Sequence, residues 1–434
     1  MRITIVGGGG FRTPLICDAI ASSGLAVSSV VLYDISSARL RVISDVLAGR
    51  GLPVRTTVSL DEALLGADVV FSAFRAGGTD GRVSDERIAL ELGILGQETV
   101  GAGGLRGALR TIPVADALAR RVAELAPDAW VISMTNPAGI VTEVMTETLG
   151  NRVIGVCDSP VALVRRACVA AGIDPGPSLA GVAEQVDADY VGINHLGWLR
   201  ALRTQGADLL PGLLADDERV LSMEEGRLFG PDLLRALGAI PNEYLYWYYA
   251  EREALDGVRQ AGRTRGEHVR DRQNAFYAAA AADPASAAAL WADANDERNR
   301  SYFAELRDGE RDAADVAVGG YETVAVALAA ALTGNAPPAR LILNVHNDEF
   351  QAVLETVCHV DSSGARPIPL AEPPSAHQLG LMNAVRSCER DIATAALTGS
   401  AEAALRAFAL HPLVGSLRAA RALAAALPLN ENTY

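Results

Sequence analysis

With 434 residues, half of them hydrophobic and 21% charged, the chain is long enough to bury a large core and too apolar to stay disordered. A formal net charge of −15 opposes a nucleic-acid backbone or an anionic membrane surface, so no partner of either kind is expected. An anionic small ligand would have to be held by a few placed arginines.

The apolar run after Met1-Arg2 is short and ends in glycines, unlike a signal-peptide core, and no later run reaches membrane length. A cytoplasmic protein is the expectation. The five cysteines, Cys17, Cys157, Cys168, Cys358 and Cys388, show no CxxC spacing, and their odd number argues against a disulfide framework.

Along the first part of the chain, Arg2–Val6, Ser28–Tyr33, Val69–Phe74, Trp130–Met134 and Val153–Val156 read as strands, separated by amphipathic stretches such as Thr111–Leu125. Such βαβ units predict an α/β fold with a doubly wound parallel sheet, a Rossmann domain over residues 1–158. Residues 159–434 read as a mixed α+β domain. It begins with a helix and the run around Tyr190–Leu199, and continues into alanine-rich, arginine-bearing helices. Phe276–Trp291, broken at Asp283-Pro284, reads as two helices or as a mobile segment. Further on, Arg340–Val345 is strand-like, and the prolines of Pro367–Pro374 mark a loop before C-terminal helices.

The first strand runs directly into Gly7-Gly8-Gly9-Gly10-Phe11 and then into a helical stretch from Thr13. Glycines let backbone approach a pyrophosphate, whose charge the free amides and dipole of the helix start would face. Asp34, at the end of the second strand and about 25 residues beyond Gly9, can accept from both ribose hydroxyls. A carboxylate there repels a 2′-phosphate, so NAD is favoured over NADP as the cofactor.

Four segments fall where a doubly wound sheet gathers its ligands: Phe74–Gly78, Gly96-Gln97-Glu98-Thr99, Met134-Thr135-Asn136-Pro137 and Cys157-Asp158-Ser159-Pro160. Cys157 and His195 each belong to an apolar strand-like run, so both could project toward one cleft, and a thiolate with an imidazole suits a borderline divalent ion in an open site.

Together with Gly192-Ile193-Asn194-His195-Leu196 and Pro241-Asn242-Glu243-Tyr244-Leu245, these ordered motifs resemble the family 4 glycoside hydrolases along nearly the whole chain. The stretch Val70–Val114 looks most like the 6-phospho-β-glucosidases. The resemblance implies a fold similar to lactate and malate dehydrogenases, NAD and a divalent metal, usually Mn2+, as cofactors, a phosphorylated disaccharide or glucoside as substrate, and a homodimer or homotetramer. It also implies site roles: Cys157 and His195 as metal ligands, Tyr244 as base, and Arg82, Arg265 and Asn136 around the phosphorylated sugar, with Glu98 as a polar wall of the sugar site, while Asp158, directly after the cysteine, could act as general acid or orient a sugar hydroxyl. Tyr246, Tyr248 and Tyr249 stand close enough in sequence to compete with Tyr244.

The chemistry so implied is a redox-neutral cycle. A sugar C2–H is too weakly acidic for any side chain to remove until C3 has become a carbonyl, which a nicotinamide can arrange. Loss of the C2 proton to Tyr244 then allows the aglycone to leave C1 with protonation from Asp158 or water, after which water adds and the hydride returns. The β-glucosidase branch usually has asparagine after the cysteine and the α branch aspartate, so Asp158 leaves a 6-phospho-α-glucosidase open. The other alternative is a malate-type or 2-hydroxy-acid NAD dehydrogenase on the same fold.

Overall fold

The computed structural model describes residues 1–176, 186–301 and 320–426. Six strands, β1 (Arg2–Val6), β2 (Ser29–Tyr33), β3 (Val54–Thr57), β4 (Val69–Ser72), β5 (Trp130–Ser133) and β6 (Val153–Gly155), run parallel in the order β3-β2-β1-β4-β5-β6. Ile3, Ile5, Val30, Leu32, Val69, Phe71, Ile132 and Ile154 are buried along them, as the near-continuous apolar runs of a sheet covered on both faces require. This is the doubly wound order, and its direction reverses between β1 and β4, where such sheets open a ligand crevice. β3 was not among the expected strands. It is the edge strand, pairs only with β2 and exposes Arg55 and Thr56, so it carries no apolar run.

The sheet does not stop at β6. Among the described residues seven more strands follow: β7 (Asp187–Ile193), β8 (Leu196–Thr204), β9 (Ala207–Asp208), β10 (Ile240–Pro241), β11 (Ala339–Asn347), β12 (Ala352–Asp361) and β13 (Gly364–Pro367). Antiparallel pairing extends the order through β6-β11-β12-β7-β8-β10, with β9 on β8 and β13 on β12. Within this extension Gly155, Asn344, Glu355 and Gly192 are register partners in turn across β6, β11, β12 and β7. Cys157 lies just past the end of β6, and His195 in the turn after β7.

The amphipathic stretch expected at Thr111–Leu125 is the second half of a longer helix, Gly101–Leu125. Its glycine-rich start is there for close packing: a Cβ on Gly103 would meet the Gln97 carbonyl oxygen at 2.1 Å. The loop carrying Glu98 and Thr99 is therefore pressed directly onto the helix. The C-terminal helices Ala376–Thr398, Ala401–Leu410 and Leu417–Ala425 close an apolar cluster with the Gly101–Leu125 helix through Leu105, Leu109, Ile112, Ile392, Phe408 and Leu423.

The Phe276–Trp291 stretch resolves into two helices, Arg265–Ala282 and Ala287–Arg300, joined by a turn at Pro284–Ser286. Among the described residues no helix is long and apolar enough to cross a membrane.

Candidate active site

The glycine turn is tied to the end of β2. The Gly7 and Gly8 amides donate to the Tyr33 carbonyl at 2.9 and 2.7 Å, and the Gly9 amide donates to Asp34 Oδ2 at 3.1 Å. Asp34 Oδ1 accepts from the Ser36 amide at 2.9 Å, so its carboxylate is fixed beside the loop. Gly7 has φ +88°, and a Cβ there would stand 2.6 Å from the Ala73 carbonyl oxygen, so only glycine fits. The helix that faces the turn starts at Thr13 with Pro14 in its first turn.

Phe11 serves this loop differently from the glycines. Its ring is buried against Phe276 and Trp291, with centroids 5.5 and 6.1 Å away, so it anchors the loop. The Tyr277 hydroxyl donates to the Gly9 carbonyl at 2.7 Å and the Trp291 indole to the Phe11 carbonyl at 2.9 Å. The two helices of the C-terminal half thus hold the N-terminal loop.

His195 occupies the two-residue turn between β7 and β8 with φ +62°, an unusual backbone for a non-glycine residue and one that its surroundings must hold. Its ring is buried, stacked face to face on Tyr244 at 3.8 Å and 2°, and its Nδ1 lies 2.9 Å from Thr99 Oγ1. Burial pushes the imidazole down to about 3, against the opposing pull of Glu98, so the ring is neutral at physiological pH. Its Nε2 is buried with no hydrogen-bond partner among the described residues.

Cys157 is 1% exposed. Burial raises its thiol well above the usual range, and the carboxylates of Glu355 and Asp158 add to the effect. Glu355, fully buried in β12, accepts from Tyr190 Oη at 2.9 Å, Asn344 Nδ2 at 3.1 Å and Asn194 Nδ2 at 3.2 Å. One carboxylate therefore touches the neighbour of His195 and acts electrostatically on Cys157, so both residues belong to one buried region.

A divalent ion suits these donors. The neutral imidazole has one ring nitrogen engaged and the other unsatisfied, and a buried polar atom left so is costly unless a ligand completes it. Among the described residues no cluster of three or more His, Cys, Asp or Glu could hold a metal; a site built on Cys157 and His195 would leave its other positions to ligand oxygens.

Of Tyr244, Tyr246, Tyr248 and Tyr249, it is Tyr244 that stacks on His195. Tyr249 is occupied by Trp198 Nε1 at 2.9 Å and His377 Nε2 at 2.8 Å, Tyr248 lies beside Glu389 and Cys388, and Tyr246 packs on Phe229. The Tyr244 backbone is set by Asn242, whose side chain accepts the Tyr244 amide at 3.0 Å.

Arg82, Glu98 and Asn136 line one cleft of about 350 Å3 with Arg75 and Arg110. Arg82 binds Glu86 at 2.7 Å and also pairs with Glu98, which Arg75 holds from the other side. Burial works to raise the Glu98 carboxyl, but Arg75 and Arg82 outweigh it and hold it down at about 2. Arg82 is also within electrostatic reach of Tyr244. Arg265 is not a solvated helix charge: its guanidinium donates to Ser301 Oγ at 2.8 Å and to the Arg298 carbonyl at 2.9 Å. Asp158, at the N-cap of the Ser159–Ala170 helix, is raised by burial and opposed by Arg12.

Five neighbours of this region were not singled out in the sequence. Gln97 and Thr99 support His195. Glu355 connects the His195 turn to Cys157, and Glu243, raised to about 7 by burial, accepts from Ser159 Oγ at 2.7 Å. Arg298 stands near Arg12, Arg265 and Glu98, where burial and its cationic neighbours lower it to about 10. Gln97 and Thr99 stood within a recognised motif, but Glu355 interrupts an apolar run and Arg298 is one arginine among many, so neither carried a local signal.

The model of the Family 4 glycosyl hydrolase matches residues 2–170, and that of the Family 4 glycosyl hydrolase C-terminal domain matches residues 190–414. The 6-phospho-beta-glucosidase of Escherichia coli (strain K12) is 29% identical over 98% of this chain and 94% of its own length. The structure of the 6-phospho-beta glucosidase from Thermotoga maritima with NAD and glucose-6-phosphate is 25% identical with a TM-score of 0.79, covering 98% of this chain and 97% of that one. A 6-phospho-alpha-glucosidase from gut microorganisms, in complex with NAD and Mn2+, is also 25% identical, with a TM-score of 0.78 over 98% and 97%. A lactate dehydrogenase from Eimeria maxima shares the fold at a TM-score of 0.52 and 14% identity, over 92% of this chain and 95% of that one.

Proposed function

This chain belongs to family 4 of the glycosyl hydrolases, and from that membership we propose that it hydrolyses 6-phospho-β-glucosides, such as phosphorylated cellobiose, with NAD and a divalent metal. The observation that carries the reading is the buried, neutral His195 imidazole, unsatisfied at Nε2 and lying flat on Tyr244.

In this reading the Gly7–Gly10 turn and Asp34 hold the dinucleotide, and Cys157 with His195 Nε2 holds the metal, probed as Mn2+. When bound, NAD would accept a hydride from sugar C3 and the metal would polarise the carbonyl so formed. Tyr244 takes the C2 proton, and Arg82 supplies the positive charge that a tyrosine base needs near neutral pH. Arg82, Arg265 and Asn136 orient the phosphorylated sugar, Glu98 forms a polar wall, and Asp158 protonates the departing aglycone. Addition of water to C1, with a proton returned to C2, and return of the hydride to C3 would complete the hydrolysis and leave the cofactor as it began.

Asp158 favours a second reading, an α-anomeric preference, since aspartate after the cysteine resembles that branch. Chromogenic 6-phosphoglucosides of both anomers, assayed with Mn2+ and NAD, test the assignment. Faster release from the β-anomer is expected; faster release from the α-anomer reverses the preference, and release from neither overturns the proposal. The same reading takes the chain as a cytoplasmic homodimer or homotetramer, which light scattering on the purified protein checks.

A further inference from the structure

We propose that Thr99 and Gln97 are positioning residues that fix His195 as its Nδ1–H tautomer, so that Nε2 meets its ligand as a bare lone pair. The assignment follows from counting protons along a short chain of hydrogen bonds. The backbone amides of Thr99 and Val100 both donate to one side-chain atom of Gln97, at 2.6 and 3.0 Å, and only a carbonyl oxygen can accept from two amides. That atom is therefore Oε1.

The Thr99 hydroxyl lies 3.1 Å from the same oxygen, and turning its single proton there keeps the two oxygens from meeting lone pair to lone pair. Toward His195 Nδ1, at 2.9 Å, Thr99 Oγ1 is then left only as an acceptor, so the proton of that hydrogen bond sits on Nδ1. A neutral imidazole with its proton there has none on Nε2. The opposite tautomer would turn the Thr99 proton to Nδ1, set the lone pairs of Thr99 Oγ1 and Gln97 Oε1 against each other at 3.1 Å, and bury an Nε2–H with no acceptor among the described residues.

The rest of the ring's surroundings keep this geometry. The face of Tyr244 holds the ring plane, the turn at φ +62° holds the backbone, and the packing of Gly103 against Gln97 holds the loop from which Thr99 reaches out. The inference rests on the reading that Nε2 ligates a metal only for its purpose, since the tautomer is a property of the metal-free chain.

Imidazole 15N shifts of the 15N-histidine-labelled, metal-free protein, with the His195 signals assigned by their loss in His195→Gln, report the tautomer directly. The expected result is Nδ1–H in the wild type, a shift toward Nε2–H in Thr99→Val, and return to Nδ1–H in Thr99→Ser. Mn2+ affinity should fall roughly 10–100-fold in Thr99→Val and recover in Thr99→Ser, with NAD affinity alike in all three. An Nε2–H signal in the wild type, or an unchanged tautomer in folded Thr99→Val, overturns the inference; should Thr99→Val not fold, the wild-type signal decides alone. A wild type that shows Nδ1–H yet binds no Mn2+ overturns the metal reading and leaves the tautomer assignment standing.

Discussion

The Tyr244 ring lies flat against the His195 imidazole, 3.8 Å between centroids and 2° between planes. Two side chains that sequence places in different strand and loop motifs thus form one object, in which the proposed base and the proposed metal ligand fix each other's orientation. Because the stack is made by ring faces, it survives removal of the phenol oxygen.

Tyr244→Phe should therefore keep the fold and the stack but lose the base. Turnover of a 6-phosphoglucoside should drop by roughly 10²–10⁴-fold, the usual scale for removing a positioned general base, with melting temperature and NAD affinity nearly unchanged. Steady-state kinetics beside thermal melting checks this, and a wild-type rate would move the base elsewhere.

Cys157→Ser and His195→Ala should each abolish metal-dependent turnover. NAD affinity should stay intact, because the Gly7–Gly10 turn takes its support from Tyr33, Asp34 and Tyr277, not from either residue. Calorimetric titration with NAD separates this outcome from general unfolding, which would remove both properties together.

Arg82→Met should destabilise the chain. It removes the cation shared by Glu86 and Glu98 in a nearly closed setting, and breaking a buried pair from one side costs about 3–5 kcal/mol. Chemical unfolding measures the loss. Adding Glu86→Gln to Arg82→Met should recover part of it, because Glu86, left with the Gly266 amide as its partner among the described residues, is then no longer a stranded charge, whereas Glu98 keeps Arg75.

The pH dependence of stability has a definite sign. Burial raises the carboxyls of Glu243 and Glu355 from the usual 4.5 to about 7, so both are easier to bury protonated than ionised. Groups raised in this way contribute stability below pH 4.5 that is lost as pH climbs through about 7. Glu98, held at about 2, works in the opposite direction, losing its contribution only as pH falls from 4.5 toward 2. Glu243→Gln should therefore flatten the decline in melting temperature between about pH 5 and 7. A slope identical to wild type would show that Glu243 does not titrate there.

Much of the fold was legible because each cue was local. The apolar run of Arg2–Val6, the glycines after it and the acid closing the second strand appear where expected, and Asp283-Pro284 does separate two helices. The β3 edge strand was not legible, since exposure removes the apolar run that marks a strand. Phe11 also sits beside the glycines in sequence but turns its ring into the core, a choice made by Phe276 and Trp291 far along the chain. Glu355 and Arg298 matter through neighbours brought by tertiary folding, which no local pattern encodes.

Hydrolysis in D2O tests the central claim most directly. If the glycosidic bond breaks by elimination after Tyr244 removes the C2 proton, the glucose 6-phosphate released with Mn2+ and NAD must carry deuterium at C2. Product with hydrogen retained at C2 would mean that the bond is displaced directly, and the roles given to Tyr244 and to the His195 site would be wrong.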